Sequence, residues 1–231
     1  MDVAVPALAG VLLLADSRLP SGGHGHSGGV EALVDRGLLR DVDDLALFLD
    51  ARIRTAGLVA ASFAATALGW EGEWAPLDGA LDARTPSAAL REASRAQGAA
   101  LLRTVAGAWP GSDGLRALGG ELGRPHHPLV LGAAAAAGGA DPGTAAALAV
   151  HQLVGAAATA AVRLLGLDPL RVAAVQAGLA PLADQVSARA AAAATAARAA
   201  RDPDLLPADS CPLPEIMAEL HSTSEVTLFA S

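Results

Sequence analysis

The 231-residue sequence is poor in aromatic and cysteine side chains: it has no tyrosine, three phenylalanines, three tryptophans and one cysteine. So few aromatic residues, beside so much alanine, disfavour β-sheets and favour α-helices. The single cysteine, Cys211, excludes a disulfide framework and is typical of a protein in a reducing compartment.

Positive charge is also scarce. The sequence has 16 basic against 24 acidic residues, which gives a net charge of −8. Nucleic acid is therefore excluded as the main partner, because phosphate binding needs a basic face, and no polybasic segment predicts attachment to a membrane surface. The N-terminal sequence MDVAVPALAGVLLLADS has an acidic second residue and no basic region, which argues against a secretory signal. We expect a cytoplasmic protein.

Small apolar residues are abundant instead, and they are densest in residues 142–166. The only fully charged side chain in this stretch is Arg163. Asp141 before Pro142 predicts an N-cap followed by proline at the first helical position, and Gly166 predicts the helix end. A helix without a polar face is either the buried centre of a helical protein or a membrane span.

The composition of this helix separates the two interpretations. It is mostly alanine, glycine and threonine, with His151 and Gln152 near its middle, whereas membrane insertion is driven by leucine, isoleucine and phenylalanine. A buried central helix is favoured, and a small helical membrane protein stays the alternative. Arg163, as the lone charge, is expected to pair with a carboxylate or to cap carbonyl groups.

Periodicity and capping residues predict further helices, while convincing strand-like alternation is absent from the sequence. The predicted helices cover residues 4–15, 27–38, 41–70, 85–109, 113–122, 129–137, 169–179 and 181–201, with a short helical piece near 214–221. Residues 69–85 are predicted as a loose connection with at most a short helix. We therefore expect one all-α domain over residues 1–231, a bundle of roughly eight to ten helices around the 142–166 helix. Residues from about 203 to 231 are predicted to be a tail that a partner orders.

A glycine-rich loop between Asp16 and Gly29 is the first candidate for chemistry. It lacks the Lys-Ser/Thr ending of a P-loop and follows no strand, which argues against a phosphate or dinucleotide site. Ser27 is predicted to cap the next helix rather than to act as a nucleophile. His24 and His26 are candidate ligands for a transition metal such as nickel, but two histidines alone make an incomplete site. A turn-and-cap loop is favoured, with a metal-binding chaperone as the alternative.

The C-terminus carries two large apolar residues, Leu228 and Phe229, within its last four positions. Chain ends usually fray, so such residues are exposed unless something covers them. Anchoring to a partner protein and packing on the chain's own body both remain open.

Five short motifs follow one another in a fixed order along the chain. The glycine-rich loop matches a pattern through Ser17, Pro20, Gly22, His26, Ser27, Gly29 and Glu31. Further matches are Gly98 in S-x-x-x-G-x-x-L-L, His126 and Pro128 in H-x-P-x-V-x-G, Arg163 in A-A-V-R-L, and His221, Leu228, Phe229 and Ser231 in H-x-T-x-x-x-x-L-F-x-S. In this order the motifs resemble those of the UreF-type urease accessory proteins.

This resemblance implies an all-helical protein without catalytic activity. A dimer of such a protein is expected to bind a UreD-type partner, also called UreH, and to recruit the GTPase UreG, so that nickel enters apo-urease. No cofactor is expected to bind this chain tightly, because the assembled complex handles the nickel. The resemblance assigns partner binding to Ser17, Pro20, Gly22, His26, Ser27, Glu31, His221, Leu228, Phe229 and Ser231. It leaves structural roles for Gly98, Pro128 and Arg163.

Overall fold

The computed structural model of the protein describes residues 8–21 and 27–222, and these residues form helices without any β-strand. The α-helices are α1 (Leu8–Ala15), α2 (Val30–Asp35), α3 (Val42–Arg52), α4 (Leu58–Ala67), α5 (Trp74–Ala83), α6 (Ala88–Ala108), α7 (Asp113–Glu121), α8 (His127–Ala137), α9 (Pro142–Leu165), α10 (Pro169–Ala200) and α11 (Pro212–Ser222). A π-helical turn (Ile53–Gly57) joins α3 to α4, and a 3-10 turn (Pro203–Leu205) follows α10. The predicted all-α fold class is confirmed.

Helix α4 lies at the centre of the bundle. Every residue of α4 except Ala60 is buried, and the helix packs against α8, α9 and α10. Gly132 in α8 allows the closest of these approaches, because a Cβ atom there would overlap the Ala64 carbonyl oxygen and lie 2.8 Å from the Ala67 Cβ. Small residues therefore bring α4 and α8 together almost backbone to backbone.

Helix α9 confirms the predicted element but not its predicted position at the fully buried centre. The Asp141 carboxylate accepts a hydrogen bond from the Thr144 N–H at 2.9 Å, and the left-handed Gly166 ends the helix. One side of α9 packs on α4 and α10, whereas His151 and Arg163 on the other side are exposed. The high alanine content explains the difference. Exposing an alanine side chain to water costs little free energy, so the sequence does not indicate which side of the helix is buried.

Two connections are more helical than expected. Residues 69–85, predicted to hold at most a short helix, contain the ten-residue α5, whose Trp74, Leu77 and Leu81 are buried at helical spacing. Pro181 was predicted to open a new helix but lies inside the continuous α10. A proline inside a helix removes one backbone hydrogen bond, to the carbonyl four residues earlier. Here that residue is Ala177, which is exposed and can bind water instead.

The segment after α10 packs on the helical body. Leu206, Met217 and Ala218 are buried, and the 3-10 turn lies against α5 and α10. Helix α11 packs against α6 and α2. This segment thus packs on the chain itself through one side, while the remainder of the predicted tail lies outside the described residues.

Candidate functional site

The two ends of the described chain meet through a buried pair of side chains. His221 Nε2 in α11 lies 3.2 Å from Glu31 Oε2 in α2, and the two side chains are only 3% and 5% exposed. Both residues belong to the terminal motifs that were assigned to partner binding. We call this contact between residues 27–31 and 214–221 the terminal junction. Its buried pair fixes α11 against the start of α2.

Glycines shape the α2 side of the terminal junction. Gly28 and Gly29 adopt φ angles of 63° and 90°, which favour glycine because a Cβ atom is strained there. Gly29 occupies the N-cap position of α2, so the prediction that Ser27 caps this helix is wrong. Pro214 lies beside this turn, 3.8 Å from where a Gly29 Cβ would stand. A tight left-handed turn therefore lets α11 approach closely.

Two glutamates attach α11 to the N-terminus of α6. Glu215 accepts a hydrogen bond from the Ser87 N–H at 2.7 Å. Glu219, one helical turn later, accepts from the Ser87 hydroxyl at 2.6 Å and from the Ala89 N–H at 2.9 Å. These hydrogen bonds lower the pKa of Glu219, whereas burial raises the pKa of Glu215. Carboxylates at this position satisfy free N–H groups and match the positive end of the α6 dipole.

The outward side of α11 is apolar. Leu213, Ile216 and Leu220 are 46%, 54% and 45% exposed, and their spacing places them along one side of the helix. We call these three residues the outer stripe. Large exposed apolar side chains grouped on one helix mark a surface for protein contact.

A cleft of about 430 Å³ lies next to the terminal junction. Its walls include Ser17, Gly28, Arg52, Arg163 and Glu215. Arg163 was expected to be the lone charge in a buried helix, but it stands on the exposed side of α9 and faces this cleft. Charged side chains from α3, α9 and α11 thus line the cleft.

Other residues that the motifs assigned to partner binding are more scattered. Ser17 and Pro20 are exposed, and the Pro20 carbonyl accepts a hydrogen bond from the Thr104 hydroxyl at 2.6 Å. Ser27 is 1% exposed. The remaining candidates lie outside the described residues: Gly22, His24, His26, Leu228, Phe229 and Ser231. The metal alternative based on His24 and His26 therefore stays a prediction.

A second polar cluster lies on the other side of α6. His126, fully buried, precedes α8 as its N-cap residue. Its Nε2 lies 2.8 Å from Asp82 Oδ1 and its Nδ1 lies 2.9 Å from Ser94 Oγ. The Asp78 carboxylate accepts from the His126 N–H at 3.1 Å. Burial lowers the pKa of His126, so the neutral ring donates to Asp82 and accepts from Ser94.

Asp78, Asp82 and His126 are close enough to hold a metal ion, since one ligand atom from each lies within 4.8 Å of the others. The guanidinium of Arg95 already occupies the carboxylates, at 2.7 Å from Asp78 and 2.6 Å from Asp82. The hydrogen bonds from His126 and Arg95 outweigh burial and hold the pKa of Asp82 low. The cluster is therefore a closed ion-pair network. The sequence did not predict it, because Asp78 and Asp82 share a helix only once α5 is recognised.

Gly98 and Pro128 stand beside this network. A Cβ atom on Gly98 would overlap the Pro125 carbonyl oxygen and lie 2.9 Å from the His127 nitrogen. Pro128 is buried in the first turn of α8, where its missing N–H costs nothing. The two residues let α6 and the start of α8 touch.

Comparison with known proteins agrees with the motif order and the helical fold. The UreF family model matches residues 39–180. A urease accessory protein UreF from Mycobacterium sp. (strain JLS) is 47% identical over 226 residues, which cover 97% of this chain and 99% of that protein. Relatives with the same name from Mycolicibacterium vanbaalenii and Mycobacterium marinum are 44% and 43% identical, again over 97% of this chain and 99% of theirs. The chain belongs to the UreF family of urease accessory proteins and is an accessory protein rather than an enzyme.

Proposed function

We propose that the protein is a cytoplasmic scaffold that binds a UreD/UreH-type accessory protein and recruits the GTPase UreG for nickel insertion into apo-urease. In this proposal the chain acts as a homodimer, and the assembled complex handles the nickel without tight binding to this chain. Membership of the UreF family supports the role in urease maturation. The terminal junction is the observation that supports the contact with the UreD/UreH-type partner.

The outer stripe is the part of the terminal junction best suited to that contact. The hydrogen bonds of Glu215 and Glu219 and the Glu31–His221 pair hold the inner side of α11. Leu213, Ile216 and Leu220 consequently point away from the body on a fixed helix. A preordered apolar side loses little conformational entropy when it is covered, which favours binding.

The experiment replaces Leu213, Ile216 and Leu220 together with glutamine in the full chain. Glutamine keeps helix propensity but removes most of the apolar contact. We expect affinity for the UreD/UreH-type protein to fall about 100-fold or more, since each buried anchor contributes on the order of 1–2 kcal/mol. Titration calorimetry measures the affinity, and circular dichroism checks that the helices remain.

The matched control replaces two exposed leucines far from α11 in the sequence, Leu47 in α3 and Leu170 in α10, with glutamine. Their side chains are 73% and 80% exposed, so the control removes more strongly exposed apolar groups. Its affinity should equal that of the wild type. If the outer-stripe variant is folded and binds as tightly as the control, the proposed contact through α11 is wrong.

A further inference from the structure

Arg52 is a half-buried cation, and two of its guanidinium nitrogens have no hydrogen-bonding partner among the described residues. It is the last residue of α3, and the π-helical turn begins directly after it. Its Nε and Nη1 atoms are buried and form no hydrogen bond with any residue that the structure describes. The guanidinium lies 5.5 Å from the centre of the Phe48 ring, and Nη1 lies 3.1 Å from where a Gly28 Cβ would stand. Phe48 and Gly28 thus lie against the guanidinium, but neither accepts a hydrogen bond from its Nε or Nη1.

A buried guanidinium nitrogen without an acceptor destabilises the folded protein unless a ligand supplies that acceptor. Arginine stays charged in proteins, and a buried charged donor that lacks an acceptor forfeits hydrogen bonds that water would have supplied. Burial lowers the pKa of Arg52, although the nearby Cys211 and Glu215 oppose this effect. Glu215 accepts from the Ser87 N–H through Oε2 and forms no hydrogen bond with the buried Nε and Nη1 atoms of Arg52. The neighbouring Arg54, by contrast, is paired with Asp50 at 2.8 Å.

A second unsatisfied group belongs to the residue before Gly28. The Ser27 hydroxyl is buried and forms no hydrogen bond within the described part of the chain. Ser27 directly precedes Gly28, and both Gly28 and Arg52 line the cleft beside the terminal junction. We therefore include the Ser27 hydroxyl as a candidate second donor to an acceptor that enters from the cleft.

We propose that Arg52 and Ser27 form a binding site for a carboxylate that a protein segment presents. The single negative charge of a carboxylate matches the single positive charge of the Arg52 guanidinium. A carboxylate that bridges two guanidinium nitrogens gains two charge-assisted hydrogen bonds. Nη2 supplies one donor. The second donor is Nε on one edge of the guanidinium or Nη1 on the other edge. The carboxylate comes from an acidic residue of the partner, and this source rests on the proposed function.

The test follows the Nε–H signal of Arg52 by nitrogen–proton NMR on the full-length protein, with acetate as the probe. Substitution Arg52→Lys assigns the signal by its loss. We expect the Arg52 signal to shift saturably with sodium acetate and to stay unchanged with sodium chloride at the same ionic strength. The Arg54 signal is the control, because Asp50 already occupies that side chain. Ser27→Ala should raise the acetate concentration at half-saturation by roughly threefold to tenfold.

Two further arms identify the natural source. If the UreD/UreH-type protein shifts the Arg52 signal, the partner supplies the carboxylate. If the signal is already shifted without any addition, and Glu225→Gln reverses the shift, this chain supplies the carboxylate and the partner is not its source. An Arg52 signal that neither acetate, the partner nor Glu225→Gln moves beyond the effect of chloride would overturn the proposal, because water alone would then satisfy the guanidinium. The acetate arm needs no partner, so it can succeed even if the proposed function fails.

Discussion

At the scale of single residues, Gly98 shows how one missing Cβ atom determines a helix contact. Alanine at this position would overlap the Pro125 carbonyl, which is backbone and cannot swing aside. We expect Gly98→Ala to lower the free energy of unfolding by about 2–3 kcal/mol. Urea unfolding measures the change. Gly107→Ala in the same helix, where nothing lies within 4 Å, should be neutral or stabilising by up to about 1 kcal/mol. Equal effects at the two positions would contradict the close contact.

His126 predicts a pH dependence at the same scale. Its pKa is lowered in the folded protein by burial, although Asp82 and Asp78 oppose the shift and Arg95 adds to it. The unfolded chain therefore takes up a proton first, near pH 6.5, and stability is lost as the pH falls below this value. When the pH falls from 7.5 to 5.5, protonation of this residue in the unfolded chain should lower the free energy of unfolding by up to about 1.4 kcal/mol.

Urea unfolding at the two pH values tests this prediction. The difference in unfolding free energy should shrink in His126→Gln, because the titrating group is gone. It should remain in His151→Gln, since His151 is exposed on α9. A His126→Gln variant with an unchanged pH difference would show that another group is responsible.

At the scale of elements, Arg84 attaches the segment after α10 to α5. Its guanidinium donates to the carbonyl groups of Pro203, Leu206 and Pro207 at 3.0–3.2 Å and lies 5.7 Å from the centre of the Phe63 ring. Because α11 follows directly, this side chain also helps to position the outer stripe.

We expect Arg84→Met to leave these carbonyl groups without a donor and to lower the free energy of unfolding by about 2–3 kcal/mol. Hydrogen exchange resolved by mass spectrometry should show faster exchange over residues 203–222 than over α4. Arg103→Met, at an exposed position of α6, is the control and should leave exchange unchanged. Uniform acceleration across the whole chain would mean that Arg84 stabilises the bundle as a unit rather than this segment.

At the scale of the whole molecule, the burial of α9 distinguishes a soluble bundle from a membrane protein. It is long and apolar enough to cross a membrane, yet 56% of its apolar window is buried within the bundle, as in the core helix of a soluble protein. We expect the full chain to be recovered without detergent in the supernatant after ultracentrifugation of a lysate. Recovery only from the membrane fraction would contradict the packing of α9 on α4 and α10.

Local chemistry could be predicted because it involves neighbouring residues. The Asp141 carboxylate caps α9, as expected from sequence, and the carboxylates of Asp41 and Asp168 cap α3 and α10 in the same way. Each cap needs only a side chain and an N–H group two or three residues away. The helix at 74–83 also had a readable signal in the spacing of its buried residues, but its glycine and proline obscured it.

The sequence by itself determined the helical class, most helix boundaries and the order of the motifs that mark the family, since each depends on residues close together in the chain. Only the tertiary structure decided that α4 rather than α9 is central, that α10 continues through Pro181, and that Glu31 meets His221. These features depend on which helix sides face each other. In a chain so rich in alanine, side-chain polarity distinguishes those sides poorly, and the fit between backbones determines them.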